Sequence, residues 1–236
     1  MKTRTIYRAV RGEYEEKKSR FIADLFYVTT PEEAEQKLAA VRKEFYDARH
    51  HCSAYILRER ENDTSGHGPN PSAGRLIMHA SDDGEPQGTA GRPMLDLLAS
   101  ESIVDCIAIV TRYFGGTLLG TGGLVRSYTK ALQDALQKSE IIERQRGIPV
   151  TVRVGYETVG KMEYYTASNR IAVLEKTYGS DAGFTLLAPE EEKDRIIKAL
   201  TEMTSGRVRP SLGDPVEYAV HAGRVLTGEA RLHGMP

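Results

Sequence analysis

A glycine-rich segment near the middle of the chain combines residue types that can bind an anion. It covers residues 111–123 and reads TRYFGGTLLGTGG. Its Gly-Gly pair permits positive φ angles, and Thr121-Gly122-Gly123 opens a predicted helix whose free N–H groups and dipole attract negative charge. Arg126 and Lys130, one turn apart on that helix, add positive charge. The segment therefore predicts contact with phosphate or nucleic acid. The alternative is that the glycines only permit tight turns and close packing.

A second segment carries acidic and imidazole groups that suit metal binding or acid–base chemistry. It contains His79, Asp82, Asp83 and Glu85 within residues 79–93. The spacing of an EF-hand is absent, and an Asp-Asp-Gly sequence also forms a turn through side-chain capping. We favour a turn and cap here and assign no metal and no cofactor. A metal-dependent hydrolase that uses these four residues is kept as an alternative.

The cysteines do not provide a catalytic thiol or a zinc site. Cys52 and Cys106 are the only two in the chain, which excludes a disulfide scaffold and a four-cysteine metal site. His50, His51 and Cys52 are consecutive on a predicted strand, where adjacent side chains point to opposite faces. We therefore assign no catalytic residue and favour a non-enzymatic, reduced and cytoplasmic protein.

The composition excludes some classes of partner. The 236 residues are 40% hydrophobic and carry a formal net charge of −1, so the protein is not basic over its whole surface. A local basic face remains possible because net charge averages over the surface. No run approaches the roughly 18 apolar residues of a membrane span, and the start lacks a signal-peptide core. We expect no membrane partner.

The hydrophobic periodicity of residues 1–140 predicts one α/β domain. Thr30 and Glu33 form a capping box, and Pro31 suits the first position of a helix with an apolar face that includes Leu38 and Phe45. We predict further helices at residues 93–100 and 122–139, a polar loop at 58–74, and strands at 4–10, 21–28, 51–57, 75–80 and 103–112.

Residues 141–220 predict a second domain, which makes the fold class α+β. The pattern is strand, helix, strand, strand, helix, strand, as in a ferredoxin-like βαββαβ domain. Its elements are expected at residues 149–156, 158–169, 171–178, 183–188, 189–204 and 207–220. The charged segment 140–147 is the expected boundary, and residues 221–236 are expected to form a loosely ordered tail. Arg207 and Arg209 would share one face of the last strand.

Three segments together resemble the Impact family, whose bacterial members are called YigZ-like proteins. They are SDDGEPQGTAGRPML at residues 81–95, IAIVTRYFGGTLLGTGGLVRSY at 107–128 and, more weakly, RHHCSAY at 49–55. The resemblance implies a first domain similar to domain four of elongation factor G and a ferredoxin-like second domain similar to domain five. It also implies a role in translation, because eukaryotic relatives regulate translation and bacterial members are suspected of contacting nucleic acid or the ribosome.

We therefore expect a translation-associated regulator that contacts RNA or the ribosome through a basic, glycine-rich face. The expected contact residues are Arg92, Arg112, Gly115, Gly116, Gly122, Gly123, Arg126, Lys130, Arg207 and Arg209. Besides the hydrolase, a second alternative is a protein-binding module whose Arg112-Tyr113-Phe114 edge docks a protein partner, since Arg and Tyr are favoured at interfaces.

Overall fold

The computed structural model describes residues 3–59, 75–207 and 209–227, so most of the loop predicted at 58–74 lies outside the described residues. Contacts divide the chain into two compact units: residues 4–141, and residues 142–236 together with residues 1–3. Both units combine helices with strands, so the chain is a mixed α/β protein. Over the described residues, no helix is both long enough and apolar enough to cross a membrane.

The first unit is built on a five-stranded antiparallel sheet with the strand order β2-β3-β6-β4-β5. Its elements in chain order are β1 (Thr3–Ile6), β2 (Val10–Glu16), β3 (Ser19–Tyr27), α1 (Pro31–Glu44), β4 (His50–Arg58), β5 (Leu76–Ser81), α2 (Gly91–Ser100), β6 (Cys106–Tyr113) and α3 (Gly120–Lys138).

Helices cover both faces of this sheet. On one face, α2 and α3 pack through Leu98 and Leu132 onto strand residues such as Phe21 and Val110. On the other face, Leu38 and Val41 of α1 pack against neighbouring residues of β4 and β6. The central strands β4 and β6 are therefore buried on both sides, and exposed functional groups must lie at the sheet's ends or edges or on the helices.

The start of α1 confirms the predicted cap, whereas strand β2 differs from the prediction. The Glu33 N–H donates to Thr30 Oγ1 at 3.2 Å, and the Glu33 carboxylate accepts from the Thr29 N–H.

At the N-terminus the predicted strand at residues 4–10 is replaced by β1 and a separate β2. The outward positions of β2 are charged, and Gly12 packs against the α3 backbone at Ala135, so its apolar alternation is weak.

The second unit contains a sheet with the strand order β12-β11-β7-β9-β8, and β10 also pairs with β7. Val152 and Phe184 on the sheet and Met162 and Leu200 on the helices form its core. Its elements are β7 (Ile141–Val154), α4 (Tyr156–Ser168), β8 (Ala172–Tyr178), β9 (Ala182–Pro189), a one-turn 3₁₀ helix (Glu190–Glu192), α5 (Lys193–Met203), β10 (Ser211–Leu212), β11 (Val216–His221) and β12 (Arg224–Thr227).

The structure differs from the sequence prediction at both ends of this unit. The two units divide between residues 141 and 142, within the expected boundary segment 140–147. Residues 141–147 nevertheless form the first half of β7, in which the buried Arg144 pairs with Glu217. The strand predicted at 207–220 is reduced to β10 and β11, which leaves Arg207 and Arg209 outside any strand. Part of the expected loose tail is ordered as β12, paired with β11, while residues 228–236 lie outside the described residues.

Candidate nucleic-acid interface

The glycine loop, residues 114–119, connects the end of β6 to the start of α3 and is held against the β2–β3 turn. A Cβ atom on Gly115 would lie 2.1 Å from the carbonyl carbon of Lys18, so only glycine fits there. The Gly115 N–H donates to Ser19 Oγ at 3.1 Å. Gly116 adopts a φ of +84°, a conformation that glycine reaches without strain. The two glycines therefore fix the loop's position on the sheet end.

The β2–β3 turn presents two lysines at its tip. Glu16 pairs with Ser19 across the strands, so Lys17 and Lys18 form a two-residue turn with φ angles of 46° and 63°. Such turns favour Asn-Gly, and each non-glycine residue in the left-handed region costs about 1 kcal/mol. Both lysines are exposed. The turn thus accepts a strained backbone and places two cations beside the glycine loop.

Helix α3 begins next to these lysines without a side-chain cap. Its N-cap residue is Leu119, which accepts no hydrogen bond through its side chain, so the first N–H groups have no side-chain partner there. A small pocket of about 100 Å³ opens beside this helix start, and Lys130 Nζ donates to Tyr14 Oη within it. The pocket is lined by Tyr14, Glu16, Lys17, Leu119, Gly123, Arg126, Ser127 and Lys130.

The carboxylates on these elements are mostly engaged with other groups. Glu13 pairs with Arg20, Glu16 accepts from the Tyr14 hydroxyl, and Asp134 pairs with Lys138. Within the described residues, Lys17, Lys18, Arg126 and Lys130 form no ion pair with a carboxylate. We name the resulting surface the glycine-loop face, defined by Lys17, Lys18, Phe114, Leu118, Arg126 and Lys130.

Arg112 does not belong to this exposed face, contrary to the sequence prediction. Its Nη1 lies 2.6 Å from Glu85 Oε1, and the two side chains are only 8% and 3% exposed. The Tyr128 hydroxyl donates to the same oxygen at 2.8 Å. Arg112 points to the α2 and α3 side of the sheet because alternation along β6 places it on the same face as Val110. The arginine therefore stabilises the fold and is not available to a surface ligand.

The other predicted arginines lie on α2 or in the second unit. Arg92 is on α2 and pairs with Asp96 one turn later. Arg207 and Arg209 belong to the second unit, where both are exposed. Of the predicted residues, the structure brings Arg126, Lys130 and the glycines of residues 115–123 together at one end of the first unit.

Asp82 lies in the turn that the sequence predicted, and its side chain also binds the start of α2, which the sequence did not predict. Its Oδ1 accepts from the Ala90 and Gly91 N–H groups, both at 2.9 Å, and its Oδ2 accepts from the Gly88 N–H at 2.7 Å. Burial alone would raise the pKa of Asp82, but these three backbone donors outweigh burial and lower the pKa below its ordinary value. Asp82 therefore holds the start of α2 as a charged carboxylate.

The remaining residues of the acidic segment also have structural partners. Asp83 Oδ2 accepts from the His51 N–H at 2.7 Å and Oδ1 from Arg42 at 2.9 Å, whereas the His79 ring stacks on Tyr55. Glu85 is the buried partner of Arg112. In the part of the chain that the structure describes, no three His, Cys, Asp or Glu side chains are grouped to hold a metal ion. The segment provides turns, a cap and a buried ion pair.

Cys52 lies inside this network as an inert thiol. Its Sγ is 3.0 Å from the Asp82 carbonyl oxygen and 3.3 Å from the Tyr128 hydroxyl. Burial raises the pKa of Cys52 to about 12, so the thiolate is not formed near neutral pH. The His50 ring is directed to the Asp83 carbonyl at 2.9 Å, and His51 Nε2 to the carbonyl of Phe45. The geometry favours packing over nucleophilic chemistry.

We predict that Asp82→Ala lowers the free energy of unfolding by about 2 kcal/mol at pH 7, because α2 loses its charged cap. Because the folded state lowers the pKa, this contribution is complete above the unfolded pKa, about 3.9. The contribution is lost as the pH falls through the lower pKa that Asp82 has in the folded state. Urea unfolding at a series of pH values from 7 to 3 should therefore show that the difference in free energy of unfolding between wild type and Asp82→Ala becomes smaller as the pH falls. Asp96→Ala, on the same helix but exposed, is the control. Equal free energies of unfolding for wild type and Asp82→Ala at pH 7 would contradict the role of Asp82 as the cap of α2.

Sequence reasoning did not select Lys17, Lys18 or Leu118 of the glycine-loop face, and it considered Phe114 only as part of a protein-docking edge. The two lysines carry no Asn-Gly turn signal, and β2, which positions them, has weak alternation. Phe114 is 56% and Leu118 82% exposed, although both belong to types that usually lie in the core. The available signal was their position within a glycine-rich loop, where the chain turns away from the sheet.

Comparisons with known proteins agree on one family. The Impact N-terminal domain matches residues 17–136, and a domain of unknown function, DUF1949, matches residues 152–207. The IMPACT family member YvyE of Bacillus subtilis is 34% identical over 86% of this chain and 87% of its own length. YigZ of Escherichia coli is 40% identical over 57% and 59%. A crystal structure of a hypothetical protein aligns with a TM-score of 0.53 at 29% identity, over 89% of this chain and 96% of that one.

Proposed function

The chain belongs to the Impact family, and from that premise we propose that it is a non-enzymatic, translation-associated regulator that contacts RNA, free or in the ribosome, through the glycine-loop face. The single observation that carries the proposal is the strained Lys17-Lys18 turn, which lies beside the uncapped start of α3 and its two cations. A fold that maximised its own stability would not place two lysines at left-handed turn positions.

The chemistry of this surface fits an anionic polymer better than a single small anion. The cations are spread over the turn and over successive turns of one helix, so they can contact several phosphates along a backbone. The free N–H groups at the start of α3 add donors for one more phosphate. Arg207 and Arg209 of the second unit remain proposed contacts, supported by their exposure.

We also propose the finer fold assignments as parts of the same hypothesis. In the second unit, β11-β7-β9-β8 are neighbours in that order, and α4 and α5 follow β7 and β9 in the chain. This arrangement supports a ferredoxin-like domain over residues 141–220. For the first unit, over residues 1–140, the family resemblance supports a relationship to domain four of elongation factor G, which is itself a translation factor.

Co-sedimentation of the purified protein with bacterial ribosomes, and separately with protein-free ribosomal RNA, tests the proposal. We expect the protein to pellet with both at about 50 mM salt and to be released by about 500 mM, because binding releases counterions from phosphates. Absence from both pellets at low salt would overturn the proposal. Binding to one ribosomal protein that survives both high salt and ribonuclease would instead favour a protein-binding module.

A further inference from the structure

Phe114 and Leu118 are apolar side chains that the first unit leaves outside its core. They lie in one six-residue loop with exposed fractions of 56% and 82%. Phe114 directly follows β6 and precedes Gly115, the residue that is packed on the Lys18 backbone. The loop cannot fold back onto the sheet without breaking that contact. The backbone next to Phe114 is therefore anchored to the β2–β3 turn.

The Arg112 guanidinium contacts the ring of Phe114 on its inner side. The Arg112 guanidinium carbon lies 5.7 Å from the ring centroid, within the range of a cation–π contact. Arg112 is itself immobilised by its ion pair with Glu85. Because the guanidinium is buried, it occupies the inner side of the ring, and the exposed half of the ring faces solvent. This support reduces the entropy that the ring loses on binding a flat ligand.

Cations border the apolar loop at both of its ends. Gly115, next to Phe114, touches the backbone of the Lys17-Lys18 turn, and Leu119, next to Leu118, lines the pocket that contains Arg126 and Lys130. A ligand that fits must offer a flat π-face and a phosphate to neighbouring parts of one surface. An unpaired nucleotide offers both, whereas a duplex keeps its base faces stacked inside the helix.

We propose that the glycine-loop face binds an unpaired segment of RNA, with a base stacked on Phe114 and the adjoining phosphates held by Lys17, Arg126 and Lys130. The inference rests on the proposed function, since it presupposes that this face contacts RNA. It adds the class of RNA: single-stranded loops or ends, bound without readout of a particular sequence.

Fluorescence anisotropy with three labelled probes tests this inference on the full chain. The probes are a twelve-nucleotide uridine RNA, an abasic oligomer with the same sugar–phosphate backbone, and a twelve-base-pair RNA duplex. We expect the wild type to bind the uridine RNA about tenfold more tightly than the abasic oligomer. Phe114→Ala should remove that difference and leave affinity for the abasic oligomer within about twofold, since stacking does not act on phosphates. Phe114→Trp should retain it.

The matched control is Tyr164→Ala, which removes an exposed aromatic side chain of the second unit and should leave all three affinities unchanged. Equal wild-type affinity for the uridine and abasic probes would overturn the inference, as would tighter binding to the duplex or indifference to Phe114→Ala. In those cases RNA is still bound, so the proposed function stands. Failure of the wild type to bind any probe, the ribosome or ribosomal RNA would remove both.

Discussion

Replacing Glu85 with alanine is expected to lower the free energy of unfolding of the first unit by about 3–5 kcal/mol, the effect of leaving a buried charge without its partner. Glu85 accepts from both Arg112 and the Tyr128 hydroxyl, and α2 and α3 exclude water from the site. Loss of the carboxylate therefore leaves the guanidinium and the phenol without their acceptor. Urea-induced unfolding followed by far-UV circular dichroism measures the change.

Two further variants separate this ion pair from surface electrostatics. Asp96→Ala breaks the exposed pair with Arg92 and should change the free energy of unfolding by less than about 0.5 kcal/mol. Replacing Glu85 and Arg112 together by leucine and methionine should destabilise less than the sum of the single substitutions, because no lone charge remains buried. A Glu85→Ala variant as stable as wild type would show that the site admits water.

Neutralising Arg126 and Lys130 together is expected to weaken RNA binding about 100-fold at about 50 mM salt, since each phosphate contact contributes roughly a factor of ten under those conditions. The two side chains lie one turn apart on α3 and line the same pocket, and neither has a carboxylate partner among the described residues. Loss of two contacts should also reduce the slope of log K against log salt by about 1.4 for single-stranded RNA.

Titration of a labelled RNA with Arg126→Gln/Lys130→Gln over a series of salt concentrations measures both effects. Lys138→Gln is the matched control, because Lys138 lies on the last turn of the same helix and pairs with Asp134. The control should follow the wild-type salt dependence. If the double variant and the control behave alike, the contact lies on another surface of the protein.

The parts of the site that sequence predicts are those fixed by local chemistry. The glycine segment leading into α3, the cap of α1 and the Asp82 turn were all visible as short-range patterns. The side of the sheet on which Arg112 lies was not visible. Strand β6 is covered on both faces, so its apolar residues do not alternate. The ion-pair partner of Arg112, Glu85, lies 27 residues earlier in the chain. Only the tertiary fold brings the two together.

The sequence also did not predict the position of two exposed cations, Lys17 and Lys18. Lys17 and Lys18 read as part of a charged N-terminal stretch, and their contribution depends on the pairing of β2 with β3. Net charge gave no indication, because the carboxylates of the chain balance the cations in number. Their importance lies in placement: Lys17 and Lys18 lie beside the glycine loop, and Glu16, which lines the same pocket, accepts a hydrogen bond from Tyr14.

Photo-cross-linking tests the central claim most directly, because it maps the contact on the unmodified protein. The wild-type chain would be bound to RNA that contains 4-thiouridine, irradiated, digested and analysed for RNA-linked peptides. The account predicts cross-links in two segments, the β2–β3 turn around Lys17 and residues 113–130, with Phe114 among the linked side chains. Cross-links confined to other segments, such as α1 or β5, would contradict it.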